Sequence, residues 1–385
     1  MLLKTLLLAS GPIFVLSPYI FGRLQVATTI FFTNHLSRLQ HVNAFSSYEI
    51  KFTDHIRNCE DVDLIETKGV AILACDPGRD KYNTVMGIYR PGSLPKAKLW
   101  AYDYAKDSKD TTALKEVDLV DFDGDFHTLG VAYHEPSSTL FVVNHSNNGS
   151  RIEAFTLDLA ARQPVARHKR TIKHPLIHTP NSLAVINENE FYVTNDHHFL
   201  TREHRLLAVV ETYLAIPGGS VVHVNLATDT YRKVARLPFA NGVGFVNSTT
   251  LAVASSSKTA VYLYDVNPAT RDLSFRSLVR VPFAPDNLRT DKNGKLLIAG
   301  HPHLPSLDKW ATTRALCNSE EGKDAEVCKS IVSPSSIAEW AGEGRLRLLY
   351  TGTEYATGAT AVRDVGRNVG IMVGLYAHGI LVFKE

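Results

Sequence analysis

The feature that most constrains the fold is a repeated grammar of short β-type runs that begins near Ile65 and continues to the last residues. Runs such as GVAILAC, TLFVVNH, SVVHVNL, TLAVASS, AVYLYDV and KLLIAG are separated by Gly, Asn, Asp and Pro, with almost no sustained helical periodicity. Each unit reads as a Gly or Asn, an apolar strand, a turn, a second strand of the type TLFVV, and a third such as RIEAF. Starts near Gly69, Gly130, Asn181, Asn241, Asn287 and Ala359 lie roughly 45 to 75 residues apart, a spacing suited to four-stranded propeller blades. Six starts predict an all-β, six-bladed β-propeller over residues 46–385. The alternative is a pair of β-sandwiches, which would not need an internal repeat every fifty or so residues.

A propeller sets where a site can form. The innermost strand of each blade lines the central channel, so polar residues at strand starts converge on the axis from distant sequence positions. At the blade starts the chain supplies oxygen donors: Glu60 and Asp61 in NCEDVDL, Asn181 in HTPNSLAV, Asn241 in FANGVGF, and Asp286-Asn287 in APDNLRT. Taken singly, each is an ordinary turn residue that satisfies its own backbone. Together, Glu60, Asp286 and three Asn amides form an all-oxygen set with two carboxylates, which suits Ca2+; zinc prefers His or Cys.

The phrases TIKHPLIHTPNSLAVI, EFYVTNDHHF, PFANGV and PDNLRTDKNGKLLIAGHP resemble the paraoxonase/arylesterase family, related to gluconolactonase-like propellers, and the likeness runs from about Asn58 to Leu381. The resemblance implies a calcium-dependent hydrolase of lactones and aryl esters acting on small molecules. It implies Glu60, Asn181, Asn241, Asp286 and Asn287 as ligands of a catalytic calcium. It also implies a second, structural calcium held by Asp61, the Val131 carbonyl and an Asp that directly follows the first Asn ligand. That last position is Ser182 here, a departure that weakens the second site. The family's water-activating His before a Gly-hydrophobic pair is Leu129 here, in His127-Thr-Leu129-Gly130-Val131. His127 is two residues upstream and on the same strand face. The resemblance further implies His145, His197 and Asp196 as catalytic candidates, with His301 as another channel histidine. Each His has a bland alternative as a strand-end residue bonded to carbonyls. Two other functions stay open at this point: a non-catalytic, calcium-stabilised binding propeller, and an isomerase or cyclase on the same fold.

The N-terminus has its own logic. Lys4, an apolar run to Phe21 and Arg23 form the layout of a secretory signal or a retained signal anchor over residues 1–24. Residues 25–45 follow as an amphipathic segment, with a short helix expected over Phe31 to Val42, lying on a membrane or lipid surface or capping the domain. Three sequons, at Asn144, Asn148 and Asn247, fit a glycosylated, secreted or membrane-anchored protein. Of four cysteines, Cys317 and Cys328 flank a polar loop and are the preferred disulfide. Cys75 reads as a small buried hydrophobe unless Cys59 reaches it. The resemblance brings a bridge between the two ends of the chain that this sequence lacks, so closure falls to strand pairing. A net charge of only +2, with both signs interspersed, excludes a nucleic-acid surface. Asp121-x-Asp123-x-Asp125 and Ser255-x-x-Lys258 match ligand or nucleophile spacings only superficially, and both read as turns.

Overall fold

A computed structural model describes residues 17–106, 111–342, 344 and 346–385. Six sheets of four or five strands, antiparallel except for one added edge strand, form the blades of a propeller. Their innermost strands are Cys59–Ile65, Thr128–His134, Pro180–Asn187, Ala240–Asn247, Ala284–Thr290 and Gly358–Asp364. Each innermost strand touches the next, and the last touches the first, so the ring closes around a channel. We number the blades I to VI in that order.

The repeated grammar has a direct physical cause. The second strand of every blade, for example Thr139–Asn144 or Thr250–Ser255, is buried along its length because both faces pack against neighbouring blades. Such strands read as continuous apolar runs rather than alternating ones. The outermost strands face water on their far side, and Leu273–Arg280 is exposed at most of its positions. The apolar core is therefore divided into wedges between adjacent sheets. One joins Val62 and Leu73 of blade I to Val373 and Ile380 of blade VI.

Closure uses strand pairing. Ser47–Lys51 pairs antiparallel with Ile380–Lys384, so blade VI is built from both ends of the propeller. Val42–Asn43 adds an edge to blade V, and Asp118–Val120 adds a parallel edge to blade II. Two disulfides, Cys59–Cys75 and Cys317–Cys328, are present. The first staples the start of the blade I inner strand to its neighbour, which resolves the open reading of Cys75. The second closes the loop after the helix Leu304–Cys317.

Two expectations are corrected. The helix predicted over Phe31 to Val42 instead runs from 17 to 33, its last turn a π-helix at Thr28–Thr33, and the chain then turns and enters a strand at Val42. Residues 17–33 hold the apolar stripe that packs on the domain: Val26 and Ile30 are buried there. Gly69 is not a blade start. It sits at φ +65° in the turn after the blade I inner strand, where a left-handed residue is needed. Blade I starts at Cys59. The other five starts fall on innermost strands. The leader reading concerns residues 1–24, of which 1–16 lie outside the described residues. No helix among the described residues is long and apolar enough to cross a membrane.

Candidate metal centre and catalytic pocket

Every innermost strand breaks its pairing register near its start. The shifts fall between Cys59 and Asp61, Thr128 and Val131, Pro180 and Leu183, Ala240 and Val243, Pro285 and Leu288, and Gly358 and Thr360. The residues skipped by the ladder include Glu60, Asn181, Asn241, Asp286 and Asn287. A bulge frees a residue from the pleat and can re-aim its side chain, and in all four of the blades that carry them the break falls on the residues singled out as ligands. Close inter-blade approach comes with it. A Cβ on Gly242 would lie 2.5 Å from Asn287 Cα and 2.6 Å from Asp286 O.

The five side chains are buried, at 1–6% exposure. Several of their polar atoms are tied down: Asn287 Nδ2 donates to Glu60 Oε1 at 2.7 Å, Asn241 Nδ2 to Ser256 Oγ at 3.0 Å, and His301 Nε2 meets Asp286 Oδ2 at 2.8 Å. What remains is a set of oxygens. Glu60 Oε2, Asn181 Oδ1, Asn241 Oδ1 and Asn287 Oδ1 are buried acceptors without a hydrogen-bond partner. Buried acceptors are normally satisfied, and four unsatisfied ones on the predicted ligands fit a hard cation. Burial, with the like charges of Asp61 and Asp286, pushes the Glu60 carboxyl well above the usual carboxylate range, against Arg79 and the Asn287 hydrogen bond. Among the described residues no three His, Cys, Asp or Glu side chains gather as a ligand set. The donors here are mostly amides.

The predicted histidines occupy three different situations. His127 is 2% exposed, with Nδ1 3.1 Å from Asp76 Oδ2. Its Nε2 has no hydrogen-bond partner, although Asp125 Oδ1 lies 3.3 Å away. Burial lowers its basicity, but the hydrogen bond and charge of Asp76, with Asp125, outweigh that and raise it above the ordinary imidazole value. His145 is fully engaged, with Nε2 at 2.5 Å from Pro180 O and Nδ1 on the Thr84 hydroxyl, and burial lowers its pKa. His197 is held by Asp196 at 2.9 Å and by Thr212 at 2.6 Å. Its ring thus faces the helix Arg205–Tyr213, while Asp196 Oδ2 stays unpartnered.

His127 and His145 line one small cavity with Asp76, Arg79, Tyr82 and Thr84. An adjoining cavity of about 60 Å³ adds Tyr89, His178, Asp196 and Arg202, whose guanidinium lies over the Tyr82 and Tyr89 rings. Sequence reasoning missed Asp76, Arg79 and Arg202. The signal available was CDPGRD, a charged cluster immediately after a strand. Of the sequons, Asn148 and Asn247 are exposed. Asn144 is corrected: it is fully buried, and its Nδ2 donates to Asp125 O and Glu153 Oε1, so a glycan has no access. Asp125 is a turn residue whose Oδ2 accepts from Asn147 N and Ser146 Oγ. Ser255 Oγ is used by the Pro238 carbonyl.

Fold and sequence define the class: a six-bladed propeller with buried oxygen donors at the starts of several inner strands. A family model described as Arylesterase matches residues 107–321, and the chain belongs to that family, which makes it an esterase or lactonase. Serum paraoxonase/arylesterase 1 of Mus musculus is 27% identical over 289 residues, covering 71% of this chain and 76% of that protein. Serum paraoxonase/lactonase 3 of Oryctolagus cuniculus is 29% identical over 167 residues, 43% of this chain and 45% of that one. Two solved structures share the fold at low identity. One assigned as a gluconolactonase has a TM-score of 0.53 at 12% identity, covering 90% of this chain and 97% of that chain. A luciferin-regenerating enzyme has 0.52 at 11%, covering 88% and 95%.

Proposed function

We propose that this chain hydrolyses lactones and aryl esters at a calcium-dependent centre formed by Glu60, Asn181, Asn241, Asp286 and Asn287. The observation that carries the reading is the set of four unpartnered buried oxygens on those side chains. Names of the relatives, which include paraoxonase, arylesterase and lactonase, support the substrate class. Bound there, calcium would supply polarisation of the ester carbonyl and stabilisation of the negative charge that develops on its oxygen.

The protein's own groups do the rest. Asp76 holds His127 with Nδ1 as the donor, which leaves the Nε2 lone pair as the proton acceptor. Nε2 takes the proton of the attacking water and returns it to the leaving oxygen. His145, with both nitrogens committed, positions rather than accepts. His197 and Asp196 brace the pocket wall against the helix Arg205–Tyr213. Arg79 donates to the Thr128 carbonyl and adds positive potential near Glu60 and His145.

The partner surface is a lipid or membrane one, and two helices support it. Tyr19, Ile20, Phe21 and Leu24 on the first, and Leu206, Leu207 and Val210 on Arg205–Tyr213, are exposed apolar side chains. The helices are joined, because Arg23 Nη2 donates to Tyr213 O at 2.8 Å and Phe31 stacks on Tyr213. A contiguous apolar patch marks an interaction site. With the signal layout of residues 1–24 and the two exposed sequons, it supports a secreted or membrane-anchored location.

The test is lactone and aryl-ester turnover by the purified chain with and without a calcium chelator, and in Asn241→Ala and Asp286→Ala. Turnover is expected to vanish in each case and to return with calcium only in the wild type. Full activity in chelator would falsify the metal-dependent reading. A chelator-lowered melting temperature without turnover on any ester would instead favour a binding propeller.

A further inference from the structure

The oxygens expected to hold a second, structural calcium are already satisfied by a side chain. Arg289 Nη2 lies 2.7 Å from Asp61 Oδ1, 2.7 Å from Asp61 Oδ2 and 3.0 Å from the Val131 carbonyl. We infer that Arg289 is a built-in cation standing where the second metal ion would sit, so that this channel is made for one divalent ion rather than two.

Three observations carry the inference. The first is saturation. Asp61 Oδ1 also accepts from Val62 N at 2.9 Å and Thr360 Oγ1 at 3.0 Å, and Oδ2 from Val131 N at 2.8 Å. A carboxylate offers about four lone-pair sites, and Arg289, Val62 N, Val131 N and the Thr360 hydroxyl, shared with the Glu60 carbonyl at 2.9 Å, crowd all of them. The second is charge. A guanidinium brings one positive charge where calcium brings two, and the chain has one carboxylate fewer at the expected ligand position, because Ser182 stands there and its Oγ bonds to nothing. The third is placement. Regular pairing of the blade V inner strand resumes at Leu288, whose side chain is buried in an inter-blade core cluster, so alternation sends the next residue, Arg289, to the opposite face, just past the bulge that holds Asp286 and Asn287. Asp61 itself is fully buried and its partner is 15% exposed at the side chain, so the pair is largely withdrawn from solvent screening.

A tethered cation cannot be chelated. The link between blades I, II and V at this level therefore persists without metal, and removing calcium empties only the outer centre. The count of one rests on the cage reading above, whereas the exclusion of a second ion does not.

Metal content per chain, measured by elemental analysis on the full-length protein after dialysis against calcium, decides the matter together with melting curves in calcium and in chelator. The wild type is expected to hold one calcium. Ser182→Asp/Arg289→Ser, which restores an anion and vacates the position, is expected to hold one more than the wild type and to gain an added calcium-dependent rise in melting temperature. Arg289→Lys keeps a tethered charge and is expected to hold the wild-type number. Two ions on the wild type, or no added ion on a folded double variant, would overturn the inference. Should the double variant fail to fold, the wild-type and Arg289→Lys counts still decide: one each supports it, two on either overturns it. No calcium on the wild type but one on the double variant would sink the catalytic-cage reading and leave this one standing.

Discussion

At the scale of single residues, the proposed metal site rests on good acceptors left unmatched. An unpartnered buried acceptor costs about 1–3 kcal/mol, so four of them weaken the metal-free protein in return for an affinity that appears only with a cation. His127, the proposed base, shows the complementary device of tuning by its neighbours. Its neutral form must accept the proton, and burial lowers its pKa while Asp76 and Asp125 together raise it more. Activity is therefore expected to rise with pH through a limb placed above the ordinary imidazole value, about 6.5. Asp76→Asn removes the raising charge and should move that limb of kcat/KM to lower pH. His127→Gln should lower kcat by about 10²–10⁴-fold and abolish the limb. An unmoved limb in Asp76→Asn would discard the dyad. The cage residues were legible one by one as Asn and Asp in blade-start phrases. Asp76 as the partner of His127, 51 residues away, was not, because nothing local distinguishes it from a turn residue.

At the scale of elements, the repeated bulge is where the proposed site and the structural repeat coincide. The grammar of runs marked five of six inner strands, and it failed at Gly69 because a turn glycine between two strands looks like a strand start. The bulges themselves left no mark that periodicity could detect, since a polar residue at a strand start reads the same whether or not the ladder skips it. The FANG phrase illustrates their cost in space. Gly242 is required by the approach of blade V, not by its dihedral angles, since a Cβ there would lie 2.5 Å from Asn287 Cα. Gly242→Ala is expected to destabilise the fold by about 1–3 kcal/mol and to weaken calcium binding by pushing Asn287 away from Glu60. Denaturant unfolding and calcium titration of the variant check both, and wild-type affinity would show that the strands can yield without disturbing the cage. The corrected helix has a similar cause. The sequence pattern splits residues 17–33 between a leader and a later amphipathic segment, yet Val26 and Ile30 dock one continuous helix on the domain.

At the scale of the whole molecule, the propeller places a polar channel on its axis, with helices flanking one mouth. Helix Arg205–Tyr213 serves both, because Thr212 holds His197 while Leu206 is 74% exposed on the other side. Leu206→Ser/Leu207→Ser removes exposed apolar surface, so folding should be unaffected while binding to phosphatidylcholine vesicles falls several-fold. Vesicle flotation reads the outcome, and unchanged flotation would remove the lipid face from consideration. What the sequence determined alone was the architecture, together with the presence of oxygen donors at the blade starts. A repeat of fully buried strands admits few folds, and oxygen donors at equivalent repeat positions are brought near one axis by any closed ring. What only the tertiary structure decided was which groups meet. His127 found Asp76, Asn144 turned inward and lost its sequon, and Arg289 reached Asp61 across 228 residues of chain. The reason is physical: strand periodicity is a local property of the backbone, whereas a guanidinium filling the place of an ion depends on the distance between blades, which no short stretch of sequence encodes.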